Sequence, residues 1–164
     1  MLSPRPARRG KLAAAFLVLA MPVSAGPLPA QQVLELGFHS VATGSDPVFG
    51  GGGLYGASRV SDRTRIAVTL AGGVAGSDAE FRGELLGHFL LSPRKGRGIG
   101  LYALGGAALV AGPASEGYLV LGLGAEASPG ARSGWSLEAG AGGGFRVALG
   151  YRWRRFPRGW VPEK

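Results

Sequence analysis

The sequence predicts an all-β protein, an eight-stranded antiparallel β-barrel in up-and-down (meander) order. From residue 33 onward the chain divides into eight runs of 8 to 13 residues, which are separated by short stretches of Gly, Pro, Ser and Asp. In most runs apolar side chains alternate with polar or small ones, which is the period of a strand. Glycine supplies 31 of the 164 residues, and this content disfavours ordinary helices.

The first 25 residues have the order of a secretory signal peptide. The basic residues that come first are Arg5, Arg8, Arg9 and Lys11. An apolar run follows over residues 12–20, and residues 23–25 supply small side chains at the expected cleavage site. Cleavage after Ala25 fits this order best, and Ala30 is a second position. The apolar run is too short to span a bilayer as a helix, so we predict export rather than anchoring.

Most of the net charge lies outside the predicted barrel. The whole chain has a formal charge of +8, and residues 26–164 hold 14 basic against 10 acidic residues, or +4. We assign residues 31–153 to the barrel and residues 154–164 to a basic C-terminal tail, which supplies +3. The barrel is therefore nearly neutral. This distribution does not resemble a nucleic-acid-binding surface, and no nucleic-acid partner is expected.

The first four strands are predicted at residues 33–42, 48–60, 64–75 and 79–91. Three of them alternate clearly. Their apolar faces hold Leu34, Leu36, Phe38, Ile66, Val68, Leu70, Phe81, Leu85 and Phe89, and their opposite faces hold Glu35, His39, Arg65, Glu80, Arg82, Glu84 and His88. The second run contains Gly50 to Gly53, so its register can slip or include a bulge.

The fifth, sixth and seventh strands are predicted at residues 98–110, 116–127 and 134–141. The fifth run is apolar on both faces and cannot be oriented from the sequence. Residues 98–114 form a 17-residue uncharged stretch that could instead be a transmembrane helix, but five glycines and a proline disfavour it. The other two runs alternate, with Glu126 and Glu138 opposite leucine-rich faces.

The eighth run, residues 145–153, has the clearest two-faced pattern. One face holds Phe145, Val147, Leu149, Tyr151 and Trp153, and the other holds Arg146, Ala148, Gly150 and Arg152. Nine residues are enough for a tilted strand to cross a bilayer. In a membrane barrel the apolar face meets lipid and the polar face lines the interior.

The orientation of the charged faces separates a membrane barrel from a soluble one. Strand runs of this length exceed the usual five or six residues and favour the membrane barrel. Facing lipid, a basic side chain at the bilayer midplane would cost about 2–4 kcal/mol. We therefore expect an inward charge network of Glu35, Arg65, Glu80, Arg82, Glu84, His88, Glu126, Glu138, Arg146 and Arg152. These charges and the many glycines predict a packed polar plug.

Two alternatives stay open at this point. The first is a soluble secreted or periplasmic β-barrel that binds a small apolar ligand, with Leu36, Leu85 and Leu137 inside and the glutamates outside. The second is a narrow pore.

No catalytic, cofactor-binding or metal-ligating set is predicted. His39 and Ser40 are adjacent on a strand, so their side chains point to opposite faces. His88 and Glu84 share a face and could form an acid–base pair, but a structural hydrogen bond is the simpler interpretation. Two histidines with scattered acids give no metal-ligand spacing, and the chain has no cysteine. The glycines at 50–53 lack the lysine and helix of a phosphate loop.

These features together resemble the small eight-stranded bacterial outer-membrane barrels of the OmpA transmembrane-domain and OmpX type. The resemblance covers about residues 32–153 and rests on the signal peptide, strand count, alternation and aromatic end of the last strand. It implies an outer-membrane location, lipid as the surroundings and a monomer without a cofactor. In that family the last strand is an assembly signal for the barrel-insertion machinery. Here the matching residues are Leu149, Gly150, Tyr151 and Trp153.

The sequence also departs from that family. The chain continues past Trp153, and the connections expected to face outside (43–47, 76–78, 111–115 and 142–144) are as short as the others. Because family members adhere through long outer loops, adhesion is not expected. Enzymatic relatives that deacylate lipid A are expected to show His-x-Ser on one strand, which this chain lacks. The sequence therefore predicts a non-enzymatic outer-membrane barrel with a structural or envelope role.

Overall fold

The computed structural model describes residues 33–93, 95–113 and 115–157, which form eight β-strands. The strands are β1 Leu34–Gly44, β2 Phe49–Arg59, β3 Thr64–Ala75, β4 Asp78–Leu90, β5 Ile99–Ala111, β6 Glu116–Ala127, β7 Ser133–Ala141 and β8 Phe145–Arg155. Each strand pairs antiparallel with the next, and β8 pairs with β1 to close the barrel. The predicted eight-stranded meander barrel is confirmed.

The chain leaves the barrel later than predicted. β8 continues two residues beyond Trp153 because Arg154 and Arg155 still pair with Glu35 and Leu34 of β1. The alternation also continues, so that Arg154 is buried and Arg155 is exposed. Assigning Arg154 to a tail is therefore wrong. The predicted signal peptide and residues 158–164 of the predicted tail lie outside the described residues.

The uncharged segment in the middle of the chain is a strand. Residues 99–111 form β5, so a transmembrane helix over residues 98–114 is wrong. Tyr102, Leu104 and Val110 face inward, while Leu101 and Leu109 face outward. Among the described residues, no helix is both long and apolar enough to cross a membrane.

The strands are tilted, as their register shows. A path along paired residues that starts at Glu126 on β6 passes through Ser136, Gly150, His39, Gly53, Ala71, Arg82 and Val110. It returns to β6 at Glu116, ten residues from its start. In a closed barrel such a stagger requires the strands to tilt, typically by about 35–45°. Because of this tilt, residues that are not paired in the hydrogen-bond register can lie at the same height along the barrel axis.

The outer surface is an apolar belt to which every strand contributes. Its exposed side chains include Leu36, Leu54, Leu70, Leu85, Leu101, Leu121, Leu137 and Leu149. Near the end that carries the chain termini, Phe38, Trp135, Tyr151 and Trp153 pack edge to face, with ring centroids 4.8–5.7 Å apart. Phe81 and Phe145 are exposed near the opposite end. An apolar band flanked by aromatic side chains is the outer surface of a membrane barrel.

The glycine-rich strand β2 keeps a continuous register. Leu34 pairs with Ser58 and Thr43 with Phe49, and every pair between them is in step, so the slip or bulge allowed by the sequence does not occur. Gly53 turns toward the interior, where a Cβ atom would overlap the carbonyl oxygen of Leu70. Glycine is needed there because the neighbouring backbone approaches closely.

We expect Gly53→Ala to lower the free energy of unfolding by about 1–3 kcal/mol, the usual effect of overpacking. The added Cβ would meet Ala71 Cα at 2.7 Å as well as the Leu70 carbonyl. Gly50→Ala, on the same strand with no atom within 4 Å, is the control and should change little. Urea unfolding of both variants makes the comparison. If both variants lowered the free energy of unfolding equally, the close approach of the Leu70 backbone would not be the reason for glycine at position 53.

Candidate functional site: the charged barrel interior

The interior holds nearly all of the charged residues that the sequence places on inward faces. Those that the structure buries are Glu35, Arg65, Arg82, Glu84, His88, Glu126, Glu138, Arg146 and Arg152. Glu80 differs, since it is half-buried near the β3–β4 turn and makes no ion pair with the described residues. The closest base on its strand, Arg82, is instead bound by Glu84 and by the carbonyl of Gly142. Expecting Glu80 in the network is therefore wrong.

One group of charges lies near the end that carries the chain termini. This terminal cluster consists of Glu35, Glu126, Arg59, Arg65, Arg152 and Arg154. The Arg65 guanidinium bridges the two acids, with Nη1 at 3.1 Å from Glu35 Oε1 and 3.0 Å from Glu126 Oε2. Arg154 Nη2 is 2.9 Å from the same Glu126 oxygen. Arg59 and Arg154 were not predicted in the network, although both continue the inward period of their strands.

A second group of charges lies deeper in the barrel. This central cluster consists of Glu84, Glu138, Arg82 and Arg146. Glu84 accepts from Arg82 Nε at 2.7 Å and from Arg146 Nη2 at 2.6 Å, and Arg146 Nη1 reaches Glu138 at 3.1 Å. Arg152 Nη2 lies 3.0 Å from Glu138 and joins the two clusters. Glu138 of β7 and Arg146 of β8, both expected on the inward face, therefore form an ion pair inside the barrel.

His88 belongs to the terminal cluster's surroundings and not to an acid–base pair. Its Nδ1 accepts from Arg65, with Nη2 at 2.8 Å, and its ring stacks on Tyr102 at 4.9 Å. Tyr102 in turn donates to Glu138 at 2.8 Å. The arrangement leaves His88 as a neutral acceptor, so the pairing with Glu84 allowed by the sequence is absent. Among the described residues, no three His, Asp or Glu side chains are grouped to hold a metal ion.

Apolar side chains fill much of the remaining interior, which the prediction of a polar plug did not include. One apolar cluster comprises Tyr55, Ala57, Ala67, Leu86, Leu90, Tyr102, Leu104, Ala108 and Val120. A second, toward the end opposite the termini, comprises Val41, Phe49, Ala71, Ala75 and Ala148. The uncharged β5 supplies one wall of the first cluster. In the sequence, this packing is indicated by β5, in which the side chains of both faces are apolar.

Hydrogen bonds link turns and interior side chains at both ends of the barrel. At the terminus end, the β4–β5 and β6–β7 turns are joined by bonds from Ser128 N to the Gly98 oxygen at 2.7 Å and from Gly130 N to the Gly96 oxygen at 3.1 Å. Interior arginines hold both turns, since Arg59 donates to the Pro93 carbonyl and Arg154 to the Ser128 and Ala131 carbonyls. At the opposite end, Arg82 donates to the Gly142 carbonyl at 2.8 Å, beside the second apolar cluster.

The predicted assembly-signal residues lie on β8, which closes the barrel. Leu149 and Trp153 are exposed on the outer surface, and Tyr151 beside them is half-buried. Gly150 faces inward, where an added Cβ would lie 2.8 Å from the Ser136 hydroxyl. These positions do not test the role of the last strand in assembly, which stays a prediction.

Comparisons with known proteins identify the fold. No family model matches the chain, and no curated protein matches it. Among solved structures it is similar to the N-terminal β-barrel domain of Pseudomonas aeruginosa OprF (TM-score 0.59, 11% identity, 74% of this chain and 97% of that one). It is also similar to Ail, the attachment invasion locus protein of Yersinia pestis (TM-score 0.51, 14% identity, 76% of this chain and 98% of that one). A third similar structure is the de novo designed TMB2.3 (TM-score 0.52, 16% identity, 77% of this chain and 97% of that one). These identities establish the fold alone, which is that of a small outer-membrane β-barrel.

Proposed function

We propose that this chain is a monomeric, non-enzymatic protein of the bacterial outer membrane with a structural or envelope-maintenance role. Its barrel spans the membrane, its interior is a closed plug, and its last strand is read by the barrel-assembly machinery.

The observation that carries this proposal is the orientation of the two faces. Glu35, Glu84 and Glu138 are 0%, 3% and 5% exposed. Their outward neighbours Leu36, Leu85 and Leu137 are 59%, 58% and 53% exposed. A soluble ligand-binding barrel requires the reverse. A surface of this kind is stable when lipid covers it and would aggregate in water.

The packing of the interior favours a plug over a pore. Ion pairs cross the lumen from β3 to β6 and from β4 to β8, and two clusters of buried apolar side chains also lie inside the barrel. Hydrogen bonds among turns and side chains at both ends also support a plug. Paired charges with buried side chains around them need no water-filled path.

The short connections favour a structural role over adhesion or catalysis. The connections opposite the termini are residues 45–48, 76–77, 112–115 and 142–144, so they present little surface to a partner. Of the two buried histidines, His39 and His88, the second already accepts a hydrogen bond from Arg65 through Nδ1. That nitrogen is therefore not available as the base of a nucleophile.

Cell fractionation tests the proposal. The protein should partition with outer membranes, and its unboiled form should migrate differently from its boiled form on a denaturing gel, because a closed barrel resists the detergent. Planar-bilayer recordings should show no conductance steps. A soluble periplasmic product without a mobility shift would contradict the membrane location, and regular conductance steps would contradict the plug.

A further inference from the structure

The buried charges of the interior do not balance. Among the described residues, the buried arginines are Arg59, Arg65, Arg82, Arg146, Arg152 and Arg154, and the buried acids are Glu35, Glu84, Glu126 and Glu138. The central cluster is neutral, with two arginines and two glutamates. The terminal cluster has four arginines and two glutamates, so the excess of positive charge among the described residues lies toward the terminus end, although Arg152 also pairs with Glu138 of the central cluster.

The same cluster contains guanidinium N–H groups that make no hydrogen bond to the described residues. They belong to Arg59 Nε, Arg152 Nε, Arg152 Nη1 and Arg154 Nε. Arg59 Nε and Arg154 Nε stand 4.0 and 3.8 Å from Glu35, and Arg152 Nη1 stands 3.6 Å from Glu126. These are attractive distances, but they are too long for hydrogen bonds. No guanidinium of the central cluster has such an atom among the described residues.

Water can satisfy only part of this arrangement. A buried water can accept from the open N–H groups, but it leaves the two positive charges uncompensated. The ring of Tyr55, with its centroid 4.3 Å from the Arg152 guanidinium carbon, attracts the cation without neutralising it. An anion accepts hydrogen bonds from several guanidinium groups and also cancels their charge.

We propose that the terminal cluster binds a small inorganic anion of the phosphate class, held by Arg59, Arg152 and Arg154. A doubly charged oxyanion matches the excess of two and has enough oxygens for the four open donors. Arg59 donates to the carbonyl of Pro93 and Arg154 to that of Ser128, both in turns at the terminus end, so the cluster is closest to solvent at this end of the barrel. The source of the anion is either free phosphate, which can cancel both charges, or the phosphodiester of a lipid headgroup, which has one negative charge and cancels one of them.

The test uses the folded protein in octyl glucoside, an uncharged detergent without phosphate. Urea unfolding is compared with inorganic phosphate, chloride or gluconate as the anion, at constant pH and ionic strength. Phosphate at ten times its dissociation constant should lower the unfolding equilibrium constant about 11-fold relative to gluconate. Binding should also broaden the phosphorus NMR signal of the added phosphate.

Three variants separate site binding from general salt stabilisation, which phosphate also causes. Arg59→Gln and Arg154→Gln each remove one excess charge and should reduce or abolish the phosphate effect. Arg155→Gln, the exposed neighbour on β8, should keep the full effect. If stabilisation appears only in phosphatidylglycerol vesicles and is lost in Arg154→Gln, the anion is a headgroup phosphate.

Two results would overturn the proposal. One is equal unfolding in all three anions and in phosphatidylglycerol vesicles, with no broadening of the phosphorus signal. The other is a phosphate effect of the same size in both cluster variants and in the Arg155→Gln control. If one of the two cluster variants does not fold, the other is still compared with wild type and with Arg155→Gln.

Discussion

Replacing Glu138 by leucine should lower the free energy of unfolding by about 3–5 kcal/mol, the usual result of removing one partner of a buried ion pair. Glu138 accepts from Arg146 at 3.1 Å, from Arg152 at 3.0 Å and from Tyr102 at 2.8 Å. Leucine would leave the buried Arg152 and Arg146 groups facing an apolar side chain. Since Glu138 also joins the two clusters, its loss should affect both.

Urea unfolding in lipid vesicles makes this measurement, with Glu116→Leu as the matched control. Glu116 is exposed at the start of β6, where it accepts a hydrogen bond from Tyr118, and an exposed polar contact of this kind contributes little. If Glu138→Leu lowers the free energy of unfolding no more than Glu116→Leu does, water reaches the interior charges and the proposed plug is wrong.

Leu121→Arg should destabilise the inserted barrel by about 2–4 kcal/mol, because it turns a charge toward the middle of the lipid layer. Leu121 lies near the centre of β6 and is 66% exposed on the outer surface. Ser77→Arg, in the exposed β3–β4 turn, introduces the same side chain where water is available and should have almost no effect. Unfolding of the two variants in the same vesicles gives the difference. If water and not lipid covered the belt, Leu121→Arg and Ser77→Arg would change the free energy of unfolding by the same small amount.

The alternation of side chains was enough to predict the strands and most of their faces. It placed Glu84 and His88 on the inner face of β4 and Leu85 on the outer face, as observed. It failed for β5 because both faces are apolar there, and only packing against Leu86 and Val120 decides that Leu104 points inward.

The ion-pair partners could not be predicted in the same way. Alternation assigns a residue to the inner or outer face of its strand. The stagger of the tilted strands decides which inward residues lie at the same height along the barrel axis. Arg65 of β3 and Glu126 of β6 lie 61 positions apart in the sequence, and they meet across the lumen through that stagger. The end of β8 was missed because Trp153 matches the aromatic end of the family's last strand, whereas its pairing with β1 continues to Arg155.

The claim that lipid covers the apolar belt is tested most directly by spin labels at single sites. Labels at Leu54, Leu85 and Leu121 sample the belt on three strands, and labels at Ser61 and Ser77 sample a turn at each end. In vesicles, the belt labels should collide with dissolved oxygen and be shielded from a water-soluble nickel complex, while the turn labels should show the reverse. Belt labels that are as accessible to nickel as the turn labels would contradict the membrane barrel.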